Sequence, residues 1–266
     1  MVDLIEIIFA AIYIPILITI ATYLLYKAIK IKANNVIFIS LYFYMIGLDF
    51  LFETFYLKDL AYEIFAIFTN TPLILLIFFI KYTFYKEKKS AFKFILVLFI
   101  ILRVSELILR LPNNFTIPQD TPITESQVPI YYIFEIIVIL NSYLVNGWFF
   151  YVSFRTYRSL ENLNIEPWIK RRYLIISYAI LCSAVSTSLS IFIPPIGGGY
   201  QGTSLSISIA LLKLPFVMSF YFGSLIGWIM PKKLKLYFNK NYKIIEDKEF
   251  SEEELMNLIR NQLSEK

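Results

Sequence analysis

Residues 94–110 read FILVLFIILRVSELILR, a run apolar enough for a bilayer that nevertheless carries Arg103, Glu106 and Arg110. Those positions are spaced i, i+3 and i+7, so a helix gathers all three charges on one face. Turned toward lipid, each would cost about 2.5–3.5 kcal/mol on insertion scales. The charged face therefore has to point into protein. A helix of this kind requires partners that build a polar interior around it.

The partners are visible as further apolar runs. Together with 94–110, the chain offers seven: 4–26, 36–57, 61–82, 94–110, 130–154, 173–193 and 204–230. Most approach the ~20 residues that cross ~30 Å of hydrocarbon. With 58% hydrophobic residues in 266, a water-soluble domain of this length could not hide its apolar side chains. The expected fold class is an all-α membrane protein, a seven-transmembrane-helix bundle over 1–230 followed by a tail over 231–266. The acidic leader MVDLIE lacks the positive start of a signal peptide, so the first run is expected to be a retained helix.

Topology follows from the links. Lys27, Lys30 and Lys32 follow the first run, and KEKKSAFK (86–93) follows the third. Arg155, Arg158, Lys170, Arg171 and Arg172 follow the fifth, and Lys232, Lys233 and Lys235 the seventh; the alternate links hold Lys58 alone. The positive-inside rule then puts the N-terminus outside and the C-terminus in the cytoplasm, for a multi-pass protein of the cell membrane. Segment 111–129 holds Pro112, Pro118, Pro122 and Pro129, and is expected to be an irregular outer loop. Asn114-Phe115-Thr116 on that loop is a glycosylation sequon. In the tail, 232–240 (KKLKLYFNK) mixes bases with apolar residues, as an interfacial helix does. Farther on, Ser251 and Glu254 form a capping box before a stripe of Leu255, Leu258, Ile259 and Leu263, a candidate docking helix for a cytoplasmic protein partner.

The chain has no histidine and one cysteine, Cys182. That removes His-ligated metal, an internal disulfide and every Ser-His or Cys-His nucleophile pair. No catalytic arrangement stands out, and the chain is not expected to be an enzyme. Basic residues come in short clusters beside apolar runs, a membrane pattern rather than a nucleic-acid one.

Counting along the spans at about 1.5 Å per residue places Arg103 near the midplane and Asp49, Glu106 and Lys213 about 4–7 Å to its outer side. Glu53, Glu135, Arg110 and Glu63 fall roughly 10–13 Å out. The inner halves are almost free of charge. This asymmetry describes a polar cavity open to the outside and sealed within, lined by Asp49, Glu53, Arg103, Glu106, Glu135 and Lys213. Each group has a plainer alternative. Asp49 and Glu53, at i and i+4, could simply neutralise Arg103 and Lys213, with Glu106 the nearest acid to Arg103 by sequence. Arg110 and Glu63, near span ends, are expected to reach the headgroups. Asn141 and Asn146 are expected to join helices by hydrogen bonds, and the Ser- and Ala-rich sixth run to pack closely.

Three resemblances bear on function. Seven spans, an outside N-terminus and Lys213 in the seventh span are similar to the microbial rhodopsins, which implies retinal held on Lys213; Ile209 stands where that family has an Asp. The residues themselves call for no cofactor. The tail after Pro231 is similar to the interfacial eighth helix of G-protein-coupled receptors. The link Glu166-Pro167-Trp168-Ile169-Lys170-Arg171-Arg172-Tyr173 resembles the seven-helix sensory region of some microbial histidine kinases, which implies an input module. With a short tail after Met230, output is then expected to pass through a separate partner. The leading expectation is a receptor or sensor for an unknown small extracellular ligand. A small-solute or proton-coupled transporter using Asp49, Glu53, Glu106 and Lys213 is the second, and a retinal protein the third.

Overall fold

The computed structural model describes residues 2–54, 71–85, 91–113, 115, 123–161, 163, 165–195 and 204–240, with the side chains of 2–10, 50 and 52–54 left aside. Among them there are helices and no strands. In chain order the α-helices are α1 (Val2–Lys30), α2 (Asn34–Thr54), α3 (Thr71–Phe84), α4 (Phe92–Asn113), α5 (Val128–Glu161), α6 (Pro167–Ser188), α7 (Ser204–Ile229) and α8 (Lys232–Phe238). Among the described residues, four segments are long and apolar enough to cross a membrane: Ala11–Lys30, Glu125–Glu161, Pro167–Phe192 and Ser204–Ile229. The chain is an all-α membrane protein.

Several ends differ from the expected runs, each for a local reason. Pro112 lies inside α4, and Pro129 falls in the first turn of α5, where a missing N–H costs nothing. The segment expected to be irregular is therefore helical at both edges, with a 3-10 turn at Glu125–Gln127 held where the Thr124 N–H donates to Gln127 Oε1 at 3.0 Å. α6 starts early because Pro167 occupies its first turn, and it passes into a 3-10 turn, Leu189–Phe192. Lys32 takes a left-handed conformation (φ 53°) at the end of α1, and the Ala33 N–H donates back to the Ala28 carbonyl at 3.0 Å. Met230 (φ 43°) makes the corresponding break between α7 and α8. Asn114, Glu63, the 251–263 stripe and the side chain of Glu53 lie outside the described residues.

Packed pairs close a ring: α1 packs on α2 and α7, α2 on α3, α3 on α5, α5 on α6, and α6 on α7. α4 packs mainly on α5. The seam between α6 and α7 is close. A Cβ at Gly223 would stand 2.9 Å from Ala179 Cβ, and one at Gly227 would stand 2.6 Å from Ile176 Cγ1. Gly223-x-x-x-Gly227 thus provides the flat face onto which Ala179 and Ile176 of α6 close. The expectation of close packing at the sixth run holds, and its glycine counterpart in the seventh is a spacing that could have been read from sequence.

The bundle is apolar outside as well as inside. On α4, Phe94, Val97, Ile101, Val104 and Ile108 are exposed, while Ile95, Phe99, Arg103 and Glu106 are buried. This is the reverse of a water-soluble amphipathic helix: the charge is inside and the aliphatic stripe outside.

Candidate functional site

On the buried face of α4, Arg103 donates a hydrogen bond to Glu106 Oε1, and their side chains are only 9% and 2% exposed. Arg110 Nη1 approaches the same carboxylate oxygen at 3.9 Å. Glu106 is therefore shared by an arginine one turn before it and another one turn after it. Arg110 does not reach for a headgroup as expected; its side chain is 14% exposed and lies over Glu106. Helical Cα–Cβ bonds lean toward the N-terminus, which carries Arg110 back over the preceding turn. Its charge also acts on Asp49 across on α2. Asp49 is half-buried, and its Oδ1 has no hydrogen-bond partner. Among the described residues, Glu106 is thus an acid that pairs with Arg103, and the charge that acts on Asp49 is that of Arg110.

A second group forms between α5, α7 and the 3-10 turn after α6. Lys213 Nζ donates to Ser190 Oγ at 2.8 Å, and its charge acts on Glu135. The buried carboxylate of Glu135 accepts a hydrogen bond from Tyr131 at 2.8 Å through Oε1, while Oε2 has no partner. Neither Tyr131 nor Ser190 was marked by sequence reasoning. The Tyr–Glu spacing of i, i+4 was a usable signal; Ser190 had none, because its role depends on a helix distant in sequence.

The interactions join Arg103, Glu106, Arg110 and Asp49 in one set, and Tyr131, Glu135, Ser190 and Lys213 in another. Both lie toward the same end of the bundle. Near it, Phe115, Tyr131 and Phe134 pack with Leu109, Ile123 and Val138, and Gln127 donates to Asn113 Oδ1 at 3.4 Å. The opposite half is filled with rings. Phe79 packs edge-on against Phe84, Phe149 and Trp228 at centroid distances of 6.3, 5.8 and 5.7 Å. Tyr85 stacks on Trp148 at 5.9 Å. These contacts tie α3, α5 and α7 into an aromatic layer.

Between the two halves α5 presents buried polar groups that are not satisfied. Asn141 is buried with neither amide atom hydrogen-bonded, and Asn146 donates to Ser142 on its own helix at 3.1 Å while its Oδ1 has no partner. Among the described residues, the expected hydrogen bonds from these asparagines to other helices are not made. An unsatisfied buried polar atom costs about 1–3 kcal/mol, so their presence along a mid-bundle face is a feature of a polar interior rather than of tight apolar packing.

Chemically, the arrangement offers fixed cations and carboxylates close together, which suits a ligand bearing both charges. Among the described residues, no three or more His, Cys, Asp and Glu side chains converge to hold a metal ion. The chain matches no family model, no curated protein and no solved structure.

Proposed function

We propose that this chain is a seven-helix receptor of the cell membrane. In this reading the N-terminus is outside, a charged cavity takes up a small polar ligand from outside, and the signal passes to a separate cytoplasmic partner. The observation that carries it is the sidedness of the bundle, with charge clusters toward one end and the aromatic layer of Phe79, Phe84, Phe149 and Trp228 toward the other. A carrier needs polar access from both sides of its site, and packed rings on one side oppose that. The basic residues support the orientation: Lys27 and Lys30 close α1, Arg158 closes α5, and Lys232, Lys233 and Lys235 lie on α8.

Orientation is tested by fusing a reporter after Lys266, expected to be cytoplasmic, and by placing cysteines at Gln119 and Gly198, expected to label from outside with a membrane-impermeant maleimide. Labelling of both only from the cytoplasmic face would invert the cavity.

Receptor and carrier are separated by flux. In proteoliposomes under an imposed potential, with a pH-sensitive dye inside, proton entry is expected to equal that of protein-free vesicles. Entry well above that level, abolished by Glu106→Gln, would replace the receptor with a proton-coupled carrier.

A further inference from the structure

The basic end of the bundle holds a half-open surface pocket that the charge clusters do not account for. Its frame is a clasp between α8 and the start of α6. Asn239 donates to Glu166 Oε2 at 2.8 Å, the Trp168 indole N–H donates to the same oxygen, and the Trp168 backbone N–H donates to Asn239 Oδ1 at 3.3 Å. Lys235 Nζ rests 4.1 Å from the centroid of the Trp168 ring. The Glu166 carboxylate is thereby occupied within the clasp, and α8 is pinned against α6.

Beside this clasp lies a cavity of about 360 Å³, lined by Pro167, Arg171, Tyr237, Phe238 and Lys240. Two of the five are cations and none is an acid. Arg171 and Lys240 are both exposed, so neither charge is buried against a protein partner among the described residues. Tyr237 and Phe238 supply an apolar wall, and the adjoining Leu236 and Tyr237 are 64% and 71% exposed. Exposed apolar groups next to a two-cation pocket, on a short helix following a membrane span, match the chemistry of an acyl boundary beneath a phosphate layer.

We propose that this cavity binds the headgroup of an anionic phospholipid carrying a phosphomonoester, with Arg171 and Lys240 on the phosphate and Tyr237 and Phe238 toward its glycerol backbone. A guanidinium fork matches phosphate geometry bidentately, and lysine adds a point charge from the other side. The volume falls in the range of small-molecule sites and suits one headgroup. The inference rests on the proposed reading only in that this end meets the inner leaflet.

The test uses the full chain in detergent, where orientation plays no part. The protein is given equal amounts of phosphatidylcholine and a phosphatidylinositol phosphate, and retained lipids are counted by native mass spectrometry. Preferential retention of the anionic lipid is expected, falling about tenfold or more in Arg171→Ala/Lys240→Ala, as two charge-assisted contacts are lost. Both side chains are exposed, so the variant is expected to keep the parent's unfolding temperature. Lys232→Ala/Lys233→Ala removes the same charge outside the cavity and should retain the lipid. Equal retention of the two lipids would overturn the proposal, and so would an equal loss in both double variants, the mark of diffuse attraction. Displacement by millimolar inorganic phosphate would make it a site for a soluble anion and overturn the lipid assignment. None of these outcomes bears on the flux measurement, so the two readings fail separately.

Discussion

Glu106→Leu is expected to destabilise the bundle by about 5 kcal/mol, the upper end for breaking a buried ion pair, measured by reversible unfolding in bicelles. It removes a carboxylate that Arg103 and Arg110 share. Arg103→Leu should cost less, nearer ~3 kcal/mol, because Glu106 keeps Arg110 at 3.9 Å. The double replacement Arg103→Leu/Glu106→Leu should recover part of the loss, since the charges of Arg110 and Asp49 still act on each other. A bundle indifferent to Glu106→Leu would mean that this face of α4 meets water or headgroups, and the charged interior would be wrong. If Arg103 also serves as a ligand contact, the double variant regains its fold without regaining binding.

The second large effect is expected at the α6–α7 seam. Gly227→Val puts branched carbon where a bare Cβ already falls 2.6 Å from Ile176 Cγ1. Overpacking of a close-packed contact costs about 1–3 kcal/mol. Two further interactions depend on the same approach: Arg172 Nε donates to the Gly227 carbonyl at 3.1 Å and its guanidinium covers the Trp228 ring at 5.6 Å. Forcing the helices apart loosens these too, so the expected loss lies at or above the top of that range. Gly223→Ala is milder, its Cβ meeting Ala179 Cβ at 2.9 Å. Pairing it with Ala179→Gly should restore stability, because the methyl group has only changed sides. If the pair is no more stable than Gly223→Ala alone, the seam is not what limits the approach of these helices.

The pattern of apolar runs was enough to establish a helical membrane protein, because a bilayer demands long apolar helices and composition leaves no other place for so many Ile, Leu and Phe side chains. Periodicity likewise placed Arg103 and Glu106 on a single buried face of α4, since 3.6 residues per turn is a local property and the cost of facing lipid is a local argument. It could also place Glu106 as the nearest acid to Arg103, three residues away. It could not say where Arg110 turns, which depends on α4 continuing to Asn113 and on α2 bringing Asp49 within electrostatic reach. Asn141 and Asn146 were read as interhelical glue on residue type alone, yet type says nothing of what the opposing helix presents. Lys213 stands out in the sequence as a lysine within an apolar span, but its partner Ser190 sits in a turn 23 residues away. Gly223 and Gly227 show their spacing in the sequence, while only the packed bundle sets Ala179 and Ile176 opposite them. Local periodicity decides which face of a helix is buried; the pairing of helices, a long-range choice made by the whole bundle, decides what that face meets.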